Sequence, residues 1–284
     1  MTTHVHTAYT LGGHRESSGF RDAMTMLRRD WKRSLRNPMM TVSSIVTPVV
    51  FMLIFVGMFG DVMAAQLGGP AGGYVSYLTP GIVVMGLASG VAATAVNLSV
   101  DKNEGVIARF RTMAIARTSV LTGQVAGAVL RSVVSVACIF GVAFALGFRS
   151  QAGLLGWLGA LGLVALSAIA LTWLGTAFGL LSGSAATANS MSLIPQFLPL
   201  VSSGFVPPER MPDGMQWFGE HQPFTPIIET LRGLVTGAPV GSSWMAAVAW
   251  CLVIWAAAFV WARWLYNREP TPRSGPSVSQ LLSH

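Results

Sequence analysis

The chain has 284 residues, of which 52% are hydrophobic and only 10% are charged. Soluble domains carry roughly 25% charged residues, so this composition excludes an ordinary soluble protein. The net charge of +7 does not indicate a nucleic-acid partner, because the basic residues form no single stripe and collect in separate segments.

Long uncharged stretches indicate an all-α polytopic membrane protein. Charged residues are absent from 37–60, 62–100, 132–148, 150–208 and 233–262. A membrane span needs about 20 mostly apolar residues, so the fourth stretch holds two spans and each of the others holds one. We predict six transmembrane helices, at about 41–60, 77–100, 124–148, 153–181, 189–206 and 243–264.

The distribution of basic residues predicts the orientation of the chain. Of the 18 lysine and arginine residues, seven precede Pro38, four lie at 101–123 and three follow Ala262. Basic loops stay on the cytoplasmic side of a membrane, so both termini and the 101–123 loop are predicted to be cytoplasmic. Two cytoplasmic termini require an even number of spans, which agrees with six.

Residues 18–36 combine an apolar stripe, at three- and four-residue spacing, with basic side chains on the remaining faces. This pattern is typical of an amphipathic helix lying in the membrane interface. Such a helix either anchors the chain only or also contacts an ATPase. The polar ends at 1–17 and 267–284 are predicted to be disordered, leaving one transmembrane domain at 18–266.

Several kinds of chemistry are missing from the sequence. A phosphate-binding loop needs a lysine after glycine, but Lys32 and Lys102 follow Trp and Asp. The five histidines show no metal-ligand spacing, and no nucleophile–base pair is identifiable, so we predict no catalytic site, no metal site and no cofactor. No predicted span contains Asp or Glu, which disfavours an ion-coupled carrier. Arg131 is shallow enough to snorkel or pair structurally, a reading favoured over substrate contact.

The inner loop at 101–113 has an amphipathic pattern. Val106, Ile107, Phe110 and Met113 share one helical face, and basic side chains occupy the others. A short helix of this kind is either an interfacial loop or a knob that sits in a cleft of a cytoplasmic motor.

The segment at 207–241 is too long for a simple turn and contains six prolines. We predict two short helices that dip into the outer leaflet between spans 5 and 6. Thr225 is the predicted N-cap of the second helix, Pro226 its first residue and Gly237 its C-terminal stop. The segment is either an ordinary surface loop or an outer plug or gate.

Glycine pairs four residues apart occur at Gly86/Gly90, Gly123/Gly127, Gly175/Gly179 and Gly179/Gly183. Such pairs permit close contact between membrane helices. Several pairs would arise by chance among 31 glycines, so this signal is weak.

At these segments the chain resembles the type-2 ABC transporter permeases of the daunorubicin-resistance class of drug exporters. The resemblance covers about residues 20–265, and Gln222-Pro223 stands where the family usually has Asn-Pro. It rests on Leu-Thr-Pro-Gly-Ile at 78–82, Asp-Lys-Asn-Glu-Gly-Val-Ile-Ala-Arg-Phe-Arg-Thr-Met-Ala-Ile-Ala-Arg at 101–117, Gly-Phe-Val-Pro-Pro-Glu-Arg-Met-Pro at 204–212, and His-Gln-Pro-Phe-Thr-Pro at 221–226 through Leu-Arg-Gly-Leu at 231–234.

The resemblance implies a permease of the bacterial plasma membrane that dimerises, as a homodimer or as a pseudo-dimer with a second permease, and that binds two copies of a cytoplasmic ATPase. ATP and magnesium would bind to that partner. The coupling contacts would fall on Glu104, Gly105, Ile107, Arg109 and Phe110. The substrate pathway along spans 2 and 5 would be lined by Met85, Asn97, Asn189, Gln196 and Phe197. The outer gate would include Pro207, Glu209, Pro223, Thr225 and Pro226.

The expected cargo is an amphipathic or hydrophobic compound such as an antibiotic-like drug. A permease for lipid or polysaccharide shares the same topology and stays open as an alternative. An ion-coupled carrier or a channel is a second alternative, disfavoured by the absence of carboxylates from the predicted spans. A membrane-embedded enzyme would need clustered His, Asp or Glu residues, which the sequence does not show.

Overall fold

The computed structural model describes residues 38–67, 72–104, 117–206 and 212–268, and all regular structure in these ranges is helical. The predicted interfacial helix at 18–36 and the predicted disordered N-terminus lie outside them, as does the tail beyond Arg268. The helices are α1 (Pro38–Leu67), α2 (Gly72–Asn103), α3 (Arg117–Ala145), α4 (Leu154–Leu181), α5 (Ala185–Phe197), α6 (Asp213–His221), α7 (Phe224–Thr236) and α8 (Ser243–Arg268), with a 3₁₀ turn at Leu198–Val201.

Five helices are long and apolar enough to cross a membrane, namely α1, α2, α3, α4 and α8. The predicted fifth span at 189–206 is different, because α5 has only 13 residues and the 3₁₀ turn follows it. The proline at 195 lacks a backbone N–H for the helical ladder, and Pro199 is the second residue of the tighter turn; both positions disfavour one continuous helix.

Helix α2 forms the centre of the bundle. In its most apolar stretch 72% of the residues are buried, against 17% to 39% in the other four long helices. It contacts α1, α3, α4, α5 and α7, and Leu78, Ile82 and Met85 lie in the largest core cluster. A helix surrounded by other helices needs no polar face, which explains why the polar residues of α2 are not gathered on one side.

Glycines allow α4 to approach the backbone of α2. A Cβ atom on Gly175 would lie 2.7 Å from the carbonyl oxygen of Val91, and one on Gly179 would lie 2.8 Å from that of Ala95. The Gly175/Gly179 pair therefore marks a close helix contact, as its spacing predicts. Gly183 has open space around it, so the Gly179/Gly183 pair does not.

Two helices extend beyond their predicted ends and take carboxylates with them. Helix α1 continues to Leu67 and includes the exposed Asp61, while α2 continues to Asn103 and includes Asp101, which is only 5% exposed. The prediction that the spans contain no carboxylate is therefore wrong at these two positions. Both carboxylates lie within two turns of a helix end, away from the middle of the helix.

Candidate functional site

The predicted coupling segment begins directly after the last turn of α2. Glu104 is exposed, and its backbone N–H donates to the carbonyl of Val100 at 2.9 Å. The other four predicted coupling residues, Gly105, Ile107, Arg109 and Phe110, lie outside the described residues.

Two side chains at the end of α2 reach across to the end of α4. The Lys102 Nζ donates to the carbonyl of Leu180 at 2.6 Å, and the Asn103 Nδ2 donates to the carbonyl of Gly183 at 3.2 Å. We call Lys102, Asn103, Leu180 and Gly183 the inner bracket, after the side of the membrane on which the basic residues of the sequence predict it. The last carbonyls of a helix lack intrahelical partners and carry partial negative charge, so the ammonium group of Lys102 stabilises the end of α4.

The turn between α4 and α5 is short and fully hydrogen-bonded at both ends. The Ser182 hydroxyl donates to the carbonyl of Gly179 at 3.0 Å, which closes α4. The Ser184 hydroxyl accepts from the backbone N–H of Thr187 at 3.2 Å, which caps α5. The turn leaves three residues between the two helices.

The predicted pathway residues differ in their accessibility. Asn189 and Phe197 are exposed on α5, whereas Gln196 and Asn97 are half-buried. Met85 is fully buried in the core, so its position favours a packing role. The sequence alone does not separate these cases, because the faces of α2 are almost equally apolar.

At the opposite end of α2 lies a second polar contact, centred on Arg232 of α7. Its Nη2 donates to the carbonyl of Ser203 at 2.7 Å, and its Nε donates to the carbonyl of Tyr77 at 3.3 Å. The guanidinium carbon lies 3.8 Å from the centre of the Tyr77 ring, and the Tyr77 hydroxyl donates to the carbonyl of Ser203 at 2.7 Å. We call Tyr77, Ser203 and Arg232 the outer clamp.

The outer clamp holds a positive charge between three parts of the chain. Burial lowers the pKa of the Arg232 guanidinium, while Tyr77 and Glu229 oppose the shift. Arginine remains charged at neutral pH despite such a shift. Because its donors point at two backbone carbonyls, the clamp ties α7 to the start of α2 and to the segment that follows α5.

Close backbone contact reinforces the outer clamp. A Cβ atom on Gly81 would lie 2.8 Å from the Cα of Gly204, so neither position has room for a side chain. The Gln222 Nε2 donates to the carbonyl of Val201 at 2.8 Å, which joins the α6–α7 connection to the 3₁₀ turn. Glutamine thus supplies an amide donor where the family usually has asparagine.

The prediction of two short helices in the segment 207–241 is confirmed by α6 and α7. The predicted start of α7 is wrong. Pro223 already has helical dihedral angles and is the N-cap residue, so Pro226 is the third residue of the helix. Thr225 does not cap α7, because its hydroxyl donates to the carbonyl of Gly219. Gly237 ends the helix as predicted, with φ of +82° and its N–H bonded to Gly233.

Two of the predicted gate residues, Pro207 and Glu209, lie outside the described residues. Among those that the structure describes, no group of three or more His, Cys, Asp or Glu side chains is placed to hold a metal ion.

Sequence reasoning missed the outer clamp and the inner bracket. Arg232 sits beside an apolar helical face formed by Ile228, Leu231 and Val235, and a lone arginine in such a place indicates a specific buried partner. Lys102 gave no comparable signal, because a lysine at the end of a span is commonly explained by its contact with the membrane surface.

This chain of apolar helices and connecting loops matches a known protein family. Residues 21–236 match the model of the ABC-2 type transporter family. The chain belongs to this family.

Two relatives of this chain are named as drug-resistance permeases. The chain is 29% identical over 201 residues to the daunorubicin resistance ABC transporter permease protein DrrB1 of Streptomyces coeruleorubidus, covering 70% of each chain. It is 26% identical over 230 residues to the probable doxorubicin resistance ABC transporter permease protein DrrC of Mycobacterium tuberculosis, covering 80% of this chain and 82% of the relative. The resemblance to type-2 ABC permeases of the daunorubicin-resistance class is thereby confirmed.

Proposed function

We propose that this ABC-2 chain is the permease subunit of an ATP-driven exporter, which moves an amphipathic, drug-like compound out of a bacterial cell. The observation that carries the proposal is the family match over residues 21–236, together with relatives named as drug-resistance permeases. The long apolar helices supply the membrane-spanning part. The energy source is expected on a separate ATPase.

We propose six crossings of the membrane, with the segment from Ser184 to Ser203 as the fifth. At one end of this segment the carbonyl of Gly183 accepts from Asn103, and at the other end the carbonyl of Ser203 accepts from Tyr77. Tyr77 and Asn103 are separated by about 39 Å along α2, at 1.5 Å per residue. A segment that contacts both ends of α2 covers the same depth, although its helix is interrupted.

The charges support a cytoplasmic location for the inner bracket. Leu98, Leu180 and Tyr266 share a buried cluster, which groups the C-terminal ends of α2, α4 and α8. Lys102, Arg263 and Arg268 lie at this same end, as the positive-inside rule requires of a cytoplasmic face. The outer clamp then lies at the external face, where α6 and α7 would form the outer gate as re-entrant helices.

Two copies of the ATPase and a second copy of the permease are proposed as partners, and membrane lipid surrounds the remaining apolar surface. Helix α5 supports a contact with a second copy, because Ile194 is 73% exposed and Phe197 is 44% exposed beside the polar Asn189 and Gln196. Such a mixture of apolar and polar side chains suits the wall of a drug pathway between two copies better than a surface that faces only lipid.

Efflux measurement tests the proposal directly. The chain is expressed with a candidate ABC ATPase, and the loss of daunorubicin fluorescence from loaded cells is followed with and without ATP depletion. We expect ATP-dependent efflux that Glu104→Ala or Phe110→Ala abolishes while the protein stays in the membrane. Asp61→Ala, at another exposed carboxylate near a helix end, is the matched control and should retain efflux.

Three outcomes would contradict the proposal in different ways. Efflux that survives ATP depletion would favour an ion-coupled carrier or channel. Association with the ATPase and ATP hydrolysis, without efflux of any drug tested, would favour export of lipid or polysaccharide. Unchanged efflux in both coupling variants would refute the assigned coupling residues.

A further inference from the structure

We propose that the inner bracket transmits the movement of the coupling segment into α4 and α5, with Lys102 and Asn103 as positioning residues. The inference rests on the proposed function, because it assumes that an ATPase acts on the segment after Asn103. The inference goes further in two ways. It names the side chains that transmit the movement, and it names the point in the chain at which this movement makes α5 move.

Helices α2 and α4 form a unit that resists sliding. Gly175 and Gly179, one turn apart on α4, lie against the backbone carbonyls of Val91 and Ala95. A Cβ on Gly179 would also lie 2.8 Å from the Cβ of Leu98, which shows that the contact continues toward the inner end. Interdigitated backbones of this kind move together, because packed interfaces change between discrete arrangements and do not deform continuously.

Lys102 fastens this unit at its inner end. Its Nζ lies 2.6 Å from the carbonyl oxygen of Leu180. Lys102 itself lies two residues before Glu104, where the coupling segment begins. Asp101, in the same helical turn, is buried, so this turn is held within the bundle. A displacement of the segment after Asn103 therefore acts on a helix end that is bonded to α4.

Gly183 is the point at which α5 can turn relative to this unit. It lies between Ser182, whose hydroxyl closes α4, and Ser184, whose hydroxyl caps α5. A Cβ on Gly183 would meet nothing within 4 Å, so no neighbouring side chain packs against this position. Its carbonyl accepts from Asn103, so the end of α2 holds the hinge residue directly. Hinges commonly fall at such element ends.

The experiment uses the full chain with its ATPase partner, reconstituted in lipid nanodiscs for distances and in proteoliposomes for daunorubicin transport. Spin labels are attached at Ser190→Cys on α5 and Leu158→Cys on α4, both exposed, after replacement of the two native cysteines. In the labelled protein whose inner bracket is unchanged, addition of ATP and vanadate should change the distance between the two labels.

Lys102→Met removes the donor while keeping a long side chain. We expect ATPase binding and ATP hydrolysis to be retained, the change in label distance to be lost, and daunorubicin transported per ATP hydrolysed to fall about tenfold, since a lost hydrogen bond to a charged group shifts an equilibrium by about that factor. Lys102→Arg keeps a cationic donor and should restore transport. Arg149→Gln, an exposed cation outside the bracket, is the matched control.

A full label-distance change and unchanged transport per ATP in Lys102→Met would overturn the inference. If that variant does not reach the membrane, Asn103→Ala decides, because this side chain is exposed and its loss should weaken coupling without unfolding the protein; unchanged coupling there overturns the inference equally. A wild-type complex that neither hydrolyses ATP nor changes the label distance would overturn the proposed function itself, and this is seen before any variant is made.

Discussion

Replacement of Gly175 by alanine tests the contact between α2 and α4. The added Cβ would lie 2.7 Å from the Val91 carbonyl oxygen and 3.0 Å from the Cβ of Thr94. Because the nearest atom belongs to a helix backbone, α4 must move away from α2 to accept the methyl group. Overpacking of this kind costs about 1–3 kcal/mol.

Alanine also favours a helix over glycine by about 1 kcal/mol, which partly hides the effect in a single variant. Gly162→Ala removes this ambiguity, because Gly162 lies on the same helix with nothing within 4 Å of its Cβ position. The helix preference is gained in both variants and cancels in their difference. We therefore expect Gly175→Ala to be less stable than Gly162→Ala by about 1–3 kcal/mol.

The measurement is unfolding of the purified protein in mixed micelles, followed by circular dichroism while the fraction of denaturing detergent is raised. The wild type and both variants are compared at equal protein and lipid concentrations. Equal stability of the two variants would refute the reasoning, since it would mean that α2 and α4 do not touch at Gly175. A loss of cooperativity would broaden the unfolding transition, whereas a change in stability alone would shift its midpoint.

Two further predictions concern the polar contacts at the two ends of the bundle. Arg232→Gln should lower the free energy of unfolding by about 2 kcal/mol, through the loss of a charged hydrogen bond and the contact with the Tyr77 ring. Arg232→Lys should recover only part of this stability in the same detergent titration, because lysine lacks the planar fork, and full recovery would argue against the geometry of the outer clamp. Ser184→Ala should lower the stability of α5 by about 1 kcal/mol, measured as faster hydrogen exchange at the Thr187 amide, whereas Ser190→Ala on the exposed face of α5 should leave that rate unchanged.

Much of the helical architecture follows from composition and spacing alone. The uncharged stretches predict the positions of α1, α2, α3, α4 and α8, because burial in a membrane demands apolar side chains. They also predict a further span at 189–206, where the structure has the shorter α5. The helix ends are less well predicted. Asp101 and Lys102 extend α2, because backbone hydrogen bonding continues wherever a charged side chain finds a partner or reaches the interface.

The start of α7 illustrates a different limit. Proline is common at the first helical position, which predicts Pro226 there, yet Pro223 adopts helical angles and the helix begins earlier. The statistical preference is correct for the first turn as a whole, since the first four N–H groups of a helix lack partners. Whether the helix begins at Pro223 or at Pro226 depends on the packing of Phe224 and Thr225 against their neighbours.

By itself, the sequence determined that this is a helical membrane protein with long spans, a polar inner loop and a proline-rich segment before the last span. These features depend on which side chains can enter an apolar environment, and that property is local. Only the tertiary structure decided that Lys102 meets the end of α4, that Arg232 joins α7 to Tyr77 and Ser203, and that Met85 is enclosed. These contacts join residues up to 155 positions apart, and no local property of either residue specifies its partner.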